Sequence, residues 1–172
     1  MAEAAIHDCG VRSPPVPVER IAQSLGATLR YAPFEGELAG TLVREGNGKV
    51  VIGVNSLHHV HRQRFTIAHE CGHLLLHRGK RVYIDHTFRV NSPALVNNRD
   101  GSSASATDPE EIEANRFAAE LLMPFDMIID DLLERDLDIE DEAELRVLAD
   151  RYRVSLQSLT IRVTGVMNDA LL

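Results

Sequence analysis

The 172-residue sequence has no apolar run approaching the roughly 18 residues that a membrane span requires. Cysteine is scarce: Cys9 lies in an N-terminal stretch and Cys71 on the core side of a helical run. Two such thiols argue against a disulfide framework and fit a reducing cytoplasm. Basic residues are in deficit, with 18 Lys and Arg against 26 Asp and Glu and a net charge of -8. A uniformly acidic chain is repelled by phosphate backbones, which disfavours general nucleic-acid binding. The opening Met1–Asp8 has no basic segment followed by an apolar one, so no secretory leader is expected and the expected location is cytoplasmic. Internal repeats and low-complexity tails are missing too. What is present is ordinary for a globular chain: 44% apolar and 26% charged residues. The length suits one domain with a real core, or a core plus a small appendage.

The organising stretch is Phe65-Thr66-Ile67-Ala68-His69-Glu70-Cys71-Gly72-His73. It holds His-Glu-x-x-His inside a run that reads as helix. Positions i and i+4 share a helix face about one turn apart, so His69 and His73 can reach one metal ion. Glu70 sits about 100° further round. It is poorly placed to bind the same ion but well placed beside a water bound to it. Two neutral nitrogens and a carboxylate base are what a zinc hydrolase needs. The competing reading is a polar face with two solvated histidines. Ile67, Cys71, Leu74 and Leu75 form an apolar stripe, and Phe65 and Leu76 flank the histidines, so the face is not plainly solvated.

Residues 1–15 carry no evident period and read as a mobile lead-in. Val16–Leu25 reads as a helix stopped by Gly26, and Ala27–Tyr31 as a strand. Leu38–Arg44 and Lys49–Asn55 flank Glu45-Gly46-Asn47-Gly48, which predicts an antiparallel hairpin. The central helix runs to about His77. His58, His59 and His61 lack chelating spacing and read as polar residues on the turn before it. Val82–Val90 reads as extended, and Asn91–Thr107 as a long loop, either a lid or disordered. Asp108 caps and Pro109 opens a helix that reaches Met123, where Pro124 ends it. Phe125–Leu133 is a further short helix. From Glu142 the chain reads helix, turn, helix.

A catalytic zinc site needs a third protein ligand. The metzincin pattern is excluded, because its Gly and His positions hold Leu76 and Gly79. His77 lies eight residues after His69, about 12 Å along the axis, which suits contact with a ligand or simply a helix end. A carboxylate from the 110–123 helix remains. Glu111, Ala114, Asn115, Ala118 and Leu122 share a face there, while Glu113 lies elsewhere with Arg116, Phe117 and Glu120. This favours Glu111 as ligand, with Asn115 bonding a ligand histidine. A capping box with Asp108 is the alternative for Glu111. Tyr83 and His86 are candidates for stabilising an oxyanion.

The segments Arg62–His77 and Glu111–Pro124 together resemble the ImmA/IrrE-type metallopeptidases over roughly residues 16–125. The resemblance implies an α+β, zincin-like fold, with a small antiparallel sheet packed on two helices. It implies Zn²⁺ held by His69, His73 and Glu111, with Glu70 as general base. Cys71 departs from the larger aliphatic residue usual there, and no sensor domain like that of some relatives is expected. Some members cleave helix-turn-helix repressors and so induce mobile-element or stress genes.

The expected organisation is a lead-in at 1–15, a metallopeptidase domain at 16–134 and a helical tail at 135–172 packed on it. The expected activity is zinc-dependent endoproteolysis of a specific intracellular protein, with a helix-turn-helix repressor the implied partner. The alternative is a regulatory module that binds DNA or protein through residues 142–168, with a structural or vestigial zinc site. Arg146, Arg151, Arg153 and Arg162 are interleaved there with Glu142, Glu144 and Asp150, so no clean basic face emerges.

Overall fold

The structure is a computed structural model, and it describes residues 1–36, 38–77, 79, 81–86, 108–135 and 137–170. The expected extension of the strand to Val90 and the Asn91–Thr107 loop lie outside the described residues. The described chain folds as α1 (Ala2–Asp8), α2 (Val18–Ser24), β1 (Ala27–Ala32), β2 (Leu38–Arg44), β3 (Val50–Asn55), α3 (Val60–Leu76), β4 (Val82–His86), α4 (Pro109–Leu122), α5 (Phe125–Arg135), α6 (Glu142–Tyr152) and α7 (Leu156–Ala170).

Local chemistry sets most of these boundaries. Gly48, at φ +86°, closes the β2–β3 turn, a left-handed conformation open to glycine at little cost. Asp108 Oδ1 accepts the Glu110 amide at 3.0 Å and Pro109 fills the first turn, so α4 starts where the sequence indicates. The first fifteen residues differ from expectation, because they contain α1. Ala2, Ala5 and Ile6 stand at i, i+3 and i+4 and are buried in the core beside α4. Two of the three are alanines, so the stripe is faint in sequence.

The four strands lie in the order β1-β3-β2-β4. The β2–β3 hairpin and the β2–β4 pair are antiparallel, but β1 runs parallel to β3, with Leu29 opposite Ile52. The sheet is therefore mixed, and the expectation of an antiparallel sheet is corrected. Alternation of side chains identifies a strand but not its partner, and β1 docks on the far side of the hairpin's second strand.

One face of the sheet packs on α2 and α3, and α3 packs most extensively on α4. The α3–α4 approach depends on Gly72. A Cβ there would lie 3.0 Å from Ala114 Cα and 3.2 Å from Ala114 O, which are backbone atoms that cannot rotate away. Gly72→Ala should therefore separate the helices and cost about 1–3 kcal/mol, the range for overpacking a tight core. Urea melts of the two proteins check this, and equal midpoints would reject it.

The tail is part of the same core. Leu145, Leu148, Tyr152, Leu159, Val163 and Val166 are buried with Leu121, Leu122 and Ile128. Arg64 donates to the carbonyls of Val16 and Arg153, and Arg162 donates to Met123 O and pairs with Glu120. Asp131 on α5 accepts from both Arg151 and the Tyr152 hydroxyl on α6.

Candidate metal centre

His69 and His73 are 2% and 1% exposed, so the motif face of α3 is fully buried between the sheet and α4. Their Nε2 atoms are 3.0 Å apart. From α4, Glu111 places one carboxylate oxygen 3.2 Å from His69 Nε2 and the other 3.2 Å from His73 Nε2. Glu111 thus turns towards the histidines rather than back to Asp108. Among the described residues these three side chains form a group that could hold a metal ion, with ligand atoms all within 4.8 Å of one another.

The hydrogen bonds behind the histidines fix which nitrogens are free. His69 Nδ1 lies 3.0 Å from Asn115 Oδ1. An amide oxygen only accepts, so Nδ1 carries a proton, and in the neutral ring this leaves Nε2 bare. Burial lowers the His73 pKa and so favours the neutral imidazole, opposed by the neighbouring Glu111 carboxylate. Burial also works to raise the Glu111 carboxyl, but its contacts with His69 and His73 outweigh this and hold it below the ordinary range. Converging lone pairs repel one another unless a cation sits among them. Two imidazole nitrogens and a carboxylate oxygen are donors that suit zinc.

Glu70 is fully buried, and neither carboxylate oxygen has a hydrogen-bond partner among the described residues. Burial pushes its pKa well up, and the nearby Asp85 and Glu111 push it further. Two orphaned oxygens beside the ligand group are what a site awaiting a polar guest leaves behind. In the metal-free protein the raised folded-state pKa has a definite sign. Glu70 contributes stability below the unfolded carboxylate pKa of about 4.3 and loses it as pH rises through the raised value. Metal-free Glu70→Gln should therefore be more stable than metal-free wild type near neutral pH, with the gap closing below about pH 4. Urea melts across this range test it, and a gap independent of pH would reject it.

Other expected residues land differently. The Tyr83 ring stacks on His73 at 4.2 Å, and its hydroxyl donates to His77 O, so this side chain braces the end of α3. The His86 side chain lies outside the described residues. Cys71 is wholly buried on the core side, where burial and Glu70 push its thiol to about 12, leaving it protonated and inert. His59 caps α3, its Nδ1 accepting the His61 amide. His58 and His61 are half-buried and outside the ligand group.

Asp85 and Arg44 are not marked by the sequence, and Glu113 is marked there only as lying off the ligand face. Asp85 shares the inward face of β4 with Tyr83, while Val82 and Ile84 point outward. Strand alternation could have found it. Burial raises its carboxyl pKa, opposed by His69 and Arg62. Arg44, at the end of β2, donates to the carbonyls of His73, Leu74 and His77 and lies 5.6 Å from the Tyr83 ring centroid. It closes the open carbonyls at the α3 C-terminus. Glu113 Oε2 lies 3.0 Å from His77 Nε2, a contact that only the helix crossing creates.

The sequence model of the Peptidase_M78 family, described as the IrrE N-terminal-like domain, matches residues 22–164. A solved structure, the "Mycobacterium tuberculosis transcriptional regulator", superposes with a TM-score of 0.52 at 16% identity, covering 92% of this chain. This chain spans only 44% of that one, and the likeness is one of fold. A search of curated proteins found no match.

Proposed function

Since the chain belongs to the IrrE N-terminal-like family of M78 peptidases, we propose that it is a zinc-dependent endopeptidase built on His69, His73 and Glu111. The family supports a metallopeptidase-type domain. The observation that carries the finer reading is the convergence of three ligand-type side chains beside a buried, unpartnered Glu70. A bound zinc ion supplies Lewis-acid polarisation of a peptide carbonyl and makes water acidic enough to react near neutral pH.

The remaining work falls to the chain. Glu70 accepts the proton of the attacking water and returns it to the leaving amine, as a general base and then acid. Its raised pKa suits that exchange. Asn115 and the group behind His73 hold the ligand rings in place. Among the described residues β4 pairs only with β2, so its other edge is a platform on which an extended peptide could add as a strand. Residues 16–134 carry this chemistry in our reading, with the 135–172 tail packed on them.

The proposed substrate is a protein, a helix-turn-helix repressor. The family resemblance supports this, and an acidic surface complements a basic DNA-binding partner. Direct DNA binding by α6 and α7 is less well supported. Arg146, Arg151 and Arg162 each pair with a carboxylate, from Glu142, Asp131 and Glu120 respectively. Co-expression with a regulator encoded nearby tests the repressor reading. Wild type should cleave it and Glu70→Gln should not. A regulator left intact by both, with its promoter unchanged, would reject the substrate while leaving the hydrolase.

A further inference from the structure

The two histidines of the proposed metal centre are backed differently. Behind His69 stands a neutral amide, Asn115. Behind His73 stands His77, with the two Nδ1 atoms 3.1 Å apart, and behind His77 stands Glu113, whose Oε2 is 3.0 Å from His77 Nε2. We propose that Glu113 and His77 form a relay that positions His73, fixing its tautomer and directing a bare Nε2 at the metal. This rests on the zinc-site reading above.

With both imidazoles neutral, as a metal-bound His73 requires, the proton count along the relay has one consistent solution. A carboxylate only accepts, so His77 Nε2 carries a proton and donates it to Glu113. In neutral His77, Nδ1 is then bare and accepts from His73 Nδ1–H. His73 Nε2 is left without a proton, on the side facing Glu111 and His69. A negative charge at the far end makes the chain of donors stronger than a neutral backing, because charged acceptors form the stronger hydrogen bonds. His73 is thereby the more electron-rich of the two nitrogen ligands.

The surroundings hold the relay in register. His77 is the residue at which α3 ends, with φ -119° and ψ 91°, so its side chain has left the helical line and lies against His73. Its carbonyl is held by Arg44 and by the Tyr83 hydroxyl. Tyr83 covers the face of His73, with an interplanar angle of 22°. His77 is 8% exposed, while the Glu113 side chain is 60% exposed. The carboxylate can therefore be altered at the surface without disturbing the core.

The test is zinc affinity by competition with a chelating dye, together with ¹⁵N shifts of the His77 ring, on the full chain. Glu113→Gln keeps an acceptor oxygen but removes the charge. His77→Gln keeps an acceptor for His73 Nδ1–H, and His77→Phe keeps the bulk without one. We expect His77→Phe to weaken zinc binding by roughly 10–100-fold, as losing such a partner generally does. His77→Gln should recover part of that loss, and Glu113→Gln should fall several-fold below wild type. The wild-type ¹⁵N shifts should show His77 protonated at Nε2 and bare at Nδ1. Wild-type affinity in both Glu113→Gln and His77→Phe would overturn the relay. So would equal losses in the two His77 variants, or a His77 proton on Nδ1. A wild-type protein that binds no zinc would instead reject the metal-site reading itself.

Discussion

Replacing Glu70 with Gln is expected to leave zinc in place and to cut peptide hydrolysis by roughly 10²–10⁴-fold, the usual contribution of a positioned general base. The amide is nearly the same size and occupies the same buried slot against β2, but it cannot accept a proton. The side chain makes no hydrogen bond among the described residues, so the exchange breaks no existing bond. Stability should hold or rise, which separates lost chemistry from lost folding. Zinc content by elemental analysis and cleavage of a candidate protein substrate are the two measurements. Full activity at normal zinc content would remove Glu70 from the role of base.

Glu111→Ala has the opposite signature. It removes the one carboxylate from the three side chains proposed as ligands and leaves two imidazoles. Zinc affinity should fall by more than about 100-fold, beyond the usual cost of losing a partner behind a ligand. The consequence can be read in folding stability, because a metal that binds the native state stabilises it by mass action. At a zinc concentration about 100 times the wild-type Kd, wild type gains about 2.7 kcal/mol. A variant weakened 100-fold gains only about 0.4 kcal/mol under the same conditions. Thermal melts with and without zinc make the comparison. Equal zinc-induced shifts in the two proteins would exclude Glu111 as a ligand. The loss should be reproduced by His69→Ala or His73→Ala, since all three donors converge on one point.

Residues that work through near neighbours in the chain are legible in the sequence itself. The His69–His73 spacing, the Asp108-Pro109 start of α4, the glycine turn of the hairpin and the arrest of α4 before Pro124 all follow from helical pitch, capping and backbone restriction. The face shared by Glu111, Ala114, Asn115 and Ala118 is readable for the same reason: helical period sets which residues stand together. That periodicity also makes close α3–α4 packing foreseeable, and Gly72 against Ala114 is where it happens.

Contacts between elements distant in sequence were decided by the tertiary structure alone. Whether β1 pairs parallel or antiparallel depends on which side of the hairpin it docks, and alternation is silent on that. The faint stripe of α1 acquires meaning only once α4 supplies a surface for it. Glu113 reaches His77 because α3 ends there and the chain turns extended, which places that ring off the helical line. Asp85 and Arg44 meet the α3 motif only through strand register and the direction of the sheet. Residue type and helical period thus mark the side chains that could hold a metal. The packing decided what stands behind each of them, because hydrogen-bond partners across elements are set by helix crossing and strand register, and no local period encodes either.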